Sequence, residues 1–111
     1  MNAPDRIGSA HLDRGYALLQ TGDPADTSEA IEALETATRL LPGNELEAAA
    51  NDQLGRALIR VDRFDEARER LLVALETAKA GERRLSVLGN LAALEARPER
   101  PRAGRWSSAA R

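Results

Sequence analysis

Apolar residues recur along the chain at spacings of three and four, and short breaks divide this pattern into five segments. Glycine or proline marks three of the four breaks. Because this spacing places side chains on one face of a helix, the pattern predicts five amphipathic helices. The second is expected to begin at residues 26–29, where several side chains can cap its first N–H groups. The predicted helices cover about residues 8–21, 28–41, 45–60, 65–80 and 82–96.

Two glycines inside predicted helices stand at the same point of a repeating unit. Gly55 and Gly89 are each preceded by a leucine and lie 34 residues apart. Glycine inside a helix costs about 1 kcal/mol relative to alanine, so its recurrence at one phase needs a reason. Close packing supplies one, because a missing side chain lets a neighbouring helix approach the backbone. The small residues Ala67 and Ala74 would meet Gly55 from the next helix.

A 34-residue period with small residues at fixed places resembles the tetratricopeptide repeat, a helix-turn-helix unit. The unit 48–81 matches the small and large apolar positions of the family on both helices. The matching residues are Leu54, Gly55, Leu58, Ala67, Leu71 and Ala74. The resemblance implies an all-α fold, a right-handed α-solenoid of antiparallel helix pairs with five helices.

The resemblance is less regular on either side of this unit. The first unit, about 8–44, matches at Gly15 and Leu34 if residues 24–26 are a three-residue insertion in its turn. A third unit has Gly89 in phase but contains a single closing helix, 82–96. The expected organisation is a repeat domain over 1–96 followed by a tail, 97–111. An irregular bundle of Ala- and Leu-rich helices stays open as the alternative.

The first helices of successive units line a concave groove in this family, and that groove can bind a peptide or a partner helix. The resemblance places ten residues of this chain there. Their apolar members offer contact area, and their arginines offer forks for a carboxylate. Alternatively, these arginines are solvated on an exposed face and pair with aspartates such as Asp52. The predicted groove residues are Leu12, Tyr16, Gln20, Asp52, Gln53, Arg56, Ile59, Arg60, Arg83 and Asn90.

The last predicted helix has a wider apolar surface than a single helix contact requires. One stripe consists of Leu85, Leu88 and Ala92, and the other of Val87, Leu91 and Leu94. A solenoid needs a polar outer face on its terminal helix. We therefore expect the stripe of Val87, Leu91 and Leu94, with Trp106, to form an end interface. Self-association or capture by another protein is favoured over cover by the tail.

Composition and charge agree with a helical body and a different tail. The chain contains 21 Ala and 16 Leu, both strong helix formers, and one residue each of Phe, Tyr and Trp. Residues 1–96 hold 11 Lys/Arg and 17 Asp/Glu (net −6), whereas residues 97–111 hold five Arg and one Glu (net +4). Proline, glycine and serine without a period predict a disordered, basic tail. The acidic body argues against nucleic-acid binding through that tail.

The sequence contains no pattern that predicts catalysis, a cofactor or a metal site. Cysteine is absent and His11 is the single histidine, which excludes thiol chemistry and histidine clusters. No apolar run approaches the roughly 18 residues of a membrane span, and the first residues lack the apolar core of a signal peptide. We therefore expect a cytoplasmic protein that is not an enzyme. The near-exclusive use of Arg over Lys indicates a GC-rich, bacterial genome.

These observations together predict a protein–protein interaction module. Such a module would be an adaptor, a chaperone or an assembly factor that binds a peptide or helix in its groove or at its C-terminal end. The alternative is an oligomerising or regulatory component, such as part of a transcriptional regulator.

Overall fold

A computed structural model describes residues 3–43, 46–79 and 81–96, which form five α-helices and no strand. For the residues described, the prediction of an all-α fold with five helices is confirmed. The predicted tail, including Trp106, lies outside the described residues. The helices are α1 (Ala3–Thr21), α2 (Pro24–Leu40), α3 (Leu46–Arg60), α4 (Phe64–Thr77) and α5 (Glu82–Ala96).

The second helix, α2, begins one turn earlier than the sequence pattern predicts. Asp23 is its N-cap and accepts a hydrogen bond from the backbone N–H of Ala25 at 2.8 Å. Pro24 occupies the first turn, where its missing N–H needs no partner and its fixed φ fits the helix. The prediction that residues 24–26 form an insertion in the turn is therefore wrong. They are the first turn of α2.

Consecutive helices pack on one another, and α3 also contacts α1 and α5. A Cβ added to Gly15 would lie 2.5 Å from Cγ of Leu34, and one added to Gly8 would lie 2.8 Å from Cγ of Leu41. The contact residue on α1 precedes Gly15 by seven positions when the contact residue that follows α2 comes seven positions after Leu34, so the two helices run antiparallel. This packing is consistent with a helical repeat.

The pair of α3 and α4 reproduces the glycine–leucine contact of the first pair. A Cβ added to Gly55 would lie 2.6 Å from Cγ of Leu71, and both Leu71 and Leu34 are fully buried. Helix α2 and helix α4 each end six residues after their contact leucine. Helix α2 has 17 residues and α4 has 14, and the three additional residues lie at the start of α2. The three additional residues at the start of α2 thus form an added helical turn, distant from the glycine–leucine contact.

Apolar side chains form two neighbouring clusters. The larger cluster joins residues of α1, α2 and α3 to Ala67 of α4. The smaller one consists of Leu71, Ala74, Val87 and Leu94, which join α4 to α5. At the surface of this second cluster, Arg68 donates to Oε1 of Glu95 from Nη2 at 2.8 Å and from Nε at 3.2 Å. This side-chain hydrogen bonding raises the pKa of Arg68.

Alanine substitutions at Gly55 and Gly89 should have opposite effects on stability. Gly55→Ala forces a Cβ onto a fully buried leucine, and we expect it to lower the free energy of unfolding by about 1–2 kcal/mol. Apart from its two chain neighbours and the backbone of its own helix, no described atom lies within 4 Å of a Cβ at Gly89. Gly89→Ala should therefore raise the free energy of unfolding by about 0.5–1 kcal/mol through helix propensity alone. Urea denaturation followed by circular dichroism at low protein concentration measures both, and equal effects would contradict the contact.

Candidate partner-binding surfaces

A buried carboxylate on α3 holds α5 in position. Asp52 is fully buried, and its two oxygens accept hydrogen bonds from three side chains of α5. Oδ2 accepts from Nη1 of Arg83 and from Oγ of Ser86, both at 2.6 Å. Oδ1 accepts from Nδ2 of Asn90 at 2.7 Å. Because a buried charge is costly unless it is paired and hydrogen-bonded, these three donors stabilise the carboxylate together.

Several predicted groove residues therefore act within the chain. Asp52, Arg83 and Asn90 join α3 to α5. The bond between Arg83 and Asp52 agrees with the alternative interpretation, in which the arginines pair with aspartates of the chain. Arg60 donates from Nη1 to the backbone carbonyl of Leu19 at 2.6 Å, which joins α3 to α1. These contacts place α1, α3 and α5 side by side.

The apolar members of the predicted groove also contribute to the interior. Leu12 is buried in the larger cluster. Ile59 is half-buried and packs against both clusters. Neither residue presents a fully exposed side chain to a partner.

Within the described part of the chain, the side chains of four predicted groove residues form no hydrogen bond to another helix. Tyr16 is 49% exposed, Gln20 is exposed and Arg56 is half-buried. Gln53 is only 8% exposed, and its Oε1 is a buried acceptor that receives no hydrogen bond within the described part of the chain. A buried acceptor without a donor costs about 1–3 kcal/mol. A donor from a bound molecule would remove that cost.

The apolar surface that α5 leaves uncovered is the opposite one from the predicted end interface. Val87 and Leu94 are fully buried and Leu91 is half-buried, all in the cluster with α4. Leu85 is 70% exposed and Leu88 is 43% exposed. We call the exposed surface formed by Leu85, Leu88, Gly89, Ala92 and Ala93 the outer face of α5.

The orientation of α5 follows from the spacing of its polar and apolar residues. Arg83, Val87, Asn90 and Leu94 are separated by four, three and four residues, so they lie on one stripe of the helix. Once Asp52 binds Arg83 and Asn90, Val87 and Leu94 must turn inward with them. The sequence did not reveal this coupling, because Arg83 and Asn90 were expected to line a partner-binding groove. The helical spacing of these four residues was the available signal.

Other parts of the surface offer weaker candidate sites. A shallow pocket of about 280 Å³ lies where α2, α3 and α4 meet. It is lined by side chains of both charge signs, including Glu35, Arg39, Glu47 and Arg70. Among the residues described by the structure, no three His, Asp or Glu side chains are grouped to hold a metal ion. No described helix is long and apolar enough to cross a membrane.

Comparison with known proteins does not assign the chain to a family. No protein-family model, no curated protein and no solved structure matches it.

Removing the buried carboxylate should weaken the attachment of α5. We expect Asp52→Ala to lower the free energy of unfolding by about 2–3 kcal/mol, because three hydrogen bonds to a charged acceptor are lost. Asp52→Asn should cost a similar amount, since it turns an amide donor toward other donors. The matched control is Asp13→Ala, an exposed aspartate on α1, with an effect within about 0.5 kcal/mol. Urea denaturation measures all three, and equal stability of the Asp52 and Asp13 variants would contradict the role of Asp52.

Proposed function

We propose that this chain is a protein–protein interaction module, such as an adaptor or assembly factor, that binds a partner helix on the outer face of α5. One observation carries the proposal. Gly15 and Gly55 are each covered by a buried leucine of the following helix, whereas a Cβ on Gly89 would meet no described atom within 4 Å. Gly89 lowers the stability of its helix, as glycine does at any interior position. It lacks the close leucine contact that accounts for a glycine at the other two positions.

The composition of the outer face of α5 suits an apolar helix. Leu85 and Leu88 lie beside Gly89, with the small side chains of Ala92 and Ala93 one turn further along. Burying a leucine side chain contributes about 1.5–3 kcal/mol, so covering two of them supplies a driving force for association. Among the charged residues of α5, Glu82 lies on the same side of the helix at its N-terminal end, and Arg84 and Glu95 lie at the flank of the outer face. A partner helix carrying a leucine at its centre fits this surface, by helix-in-groove recognition.

The chain's repeat pattern supports a finer proposal about its architecture. Asp52 and Ser86 are 34 residues apart and bonded to each other, so the same phase of two successive units meets across α3 and α5. We propose that the helices form a right-handed solenoid of the tetratricopeptide type, with α1, α3 and α5 as successive first helices. In that arrangement the outer face of α5 corresponds to the face of α3 that α4 covers.

A peptide copy of α4 tests the proposed binding surface. In the chain, α4 places Leu71 on Gly55 of α3, and the outer face of α5 repeats that surface around Gly89. We expect a peptide of residues 63–79 to shift the amide NMR signals of Leu85, Leu88 and Gly89 in the full chain. The dissociation constant should be on the order of 100 µM to 1 mM, since a short peptide must also be ordered on binding.

Two variant peptides make this experiment specific. A Leu71→Glu peptide should not shift Gly89, because its contact leucine is removed. A Leu72→Glu peptide should still bind, because Leu72 is 48% exposed on the intact α4. The absence of a Gly89 shift at about 2 mM peptide, or equal binding of both variants, would contradict the proposed function.

The groove is a second candidate, favoured by the buried Oε1 of Gln53 without a hydrogen-bond donor. A backbone N–H of a peptide bound between Tyr16, which is exposed, and Arg56, which is half-buried, would supply that donor. Co-purification separates the two candidates. Partners bound in the groove should be lost with Tyr16→Ala and Arg56→Glu and retained with Leu85→Glu and Leu88→Glu, and partners bound to α5 should show the reverse.

A further inference from the structure

We propose that the outer face of α5 pairs with the same face of a second copy, with the two helices antiparallel about a two-fold axis near Gly89. The inference rests on the proposed function, because it names a partner for the surface assigned there. The partner's chemistry is that of the chain itself, an exposed apolar helix face.

The outer face of α5 is complementary to itself. Its large residues, Leu85 and Leu88, lie in the first half of the helix, and its small residues, Gly89, Ala92 and Ala93, lie in the second half. Antiparallel pairing sets the first half of one helix against the second half of the other. Leu85 and Ala93 are equally distant from Gly89, so a two-fold axis at Gly89 places each Leu85 against Ala93 of the other copy. The leucine side chains of one copy then pack over the glycine and alanines of the other copy.

Parallel pairing of the same face gives a poorer fit. It would place leucine against leucine at one end and glycine and alanine against each other at the other end. The first end would be crowded and the second would hold a void. The antiparallel arrangement therefore follows from the distribution of side-chain volume along the helix.

Charge at the flank of the outer face agrees with the same orientation. Arg84 and Glu95 are 11 residues apart, which is close to three helical turns, so they lie on the same side of α5 near opposite ends. Arg84 donates from Nη1 to the backbone carbonyl of Leu75 at 3.2 Å, and its other N–H groups have no hydrogen bond among those that join the described helices. Antiparallel pairing brings Arg84 of each copy toward Glu95 of the other. Arg68 bonds Glu95 through Oε1, which leaves Oε2 available to a second guanidinium. Parallel pairing would keep Arg84 of one copy and Glu95 of the other at opposite ends of the helix pair.

The expected interface is small. A helix of 15 residues is about 22 Å long, so one helix pair buries less surface than a standard protein interface. We expect the dissociation constant of the pair to be on the order of 100 µM. A larger assembly or a second partner is not needed to form it.

Sedimentation equilibrium of the full chain tests the self-association. Between about 10 µM and 1 mM the average mass should rise from that of a monomer toward that of a dimer. Leu85→Glu combined with Leu88→Glu should remain a monomer throughout, because it places charges in the apolar face. Leu72→Glu, the matched exposed leucine on α4, should dimerise as the unaltered chain does. Circular dichroism checks that each variant is folded.

The orientation of the pair can be tested with disulfides, because the chain contains no cysteine. Leu85→Cys and Ala93→Cys variants are mixed, oxidised and analysed by intact mass spectrometry. We expect the mixed disulfide to exceed both self-disulfides at least fivefold. Predominant self-disulfides, as parallel pairing requires, would overturn the antiparallel arrangement.

The outcomes separate this inference from the proposed function. A strict monomer up to about 1 mM, or dimerisation that survives the double Glu substitution, overturns the self-pairing. If the α4 peptide still shifts Gly89 in that case, the outer face binds a helix of another protein and the proposed function stands. If the peptide also fails to bind, both proposals fall.

Discussion

The close approach of a leucine side chain to a glycine backbone is the constraint on which the helix pairs depend. A Cβ at Gly15 or Gly55 would occupy the space of Leu34 or Leu71, so a side chain at either position would push the paired helices apart. The alanines packed around these contacts are compatible with a short distance between helices, and larger residues would not be. The same contact explains why the added turn of α2 is tolerated. It lengthens the helix at the end distant from Leu34 and leaves the contact unchanged.

The second determinant is electrostatic and acts between units. Asp52 is fully buried, so its charge has to be matched by donors that the next helix supplies. Arg83, Ser86 and Asn90 meet this requirement together, and their positions fix the rotation of α5 about its own axis. The glycine–leucine contact thus sets the spacing within a helix pair, whereas the carboxylate sets the orientation of the following helix. The outer face of α5 is exposed as a consequence of both.

Much of the fold could be predicted from the sequence, because helical periodicity and glycine spacing are local signals. The number of helices and a close helix contact at Gly55 follow from them. The prediction of which residues meet Gly55 was wrong, because the atoms nearest to an added Cβ belong to Leu71 and not to Ala67 or Ala74. The start of α2 was misplaced because two capping sequences compete, and Asp23 with Pro24 is preferred over residues 26–29. The rotation of α5 was misjudged for a different reason. Both apolar stripes of α5 are adequate for burial, and the choice between them depends on a polar contact to Asp52, 31 to 38 residues away in sequence.

The candidate site illustrates the same limit. Groove residues were assigned by position in a repeat, and position does not distinguish a side chain that contacts a partner from one that joins neighbouring helices. Arg60 and Arg83 are charged residues on first helices, yet both donate hydrogen bonds within the chain. Tyr16 and Arg56 occupy comparable positions and retain exposed surface. The difference is set by which acceptors the neighbouring helix presents, and that information is not local.

The division of the apolar interior into two clusters has a consequence for how the chain folds. Ile59 packs against both clusters, so it links two groups of helices that are otherwise held by different side chains. The larger cluster contains 13 buried residues and the smaller one contains four, so most of the apolar burial holds α1, α2 and α3 together. The smaller cluster adds α5 to an existing surface of α3 and α4. We expect folding to begin with α1 to α3 and to spread toward α5. The two clusters are coupled through the half-buried Ile59, through the contact of Leu71 with Gly55, and through Asp52, which lies about two helical turns before Ile59.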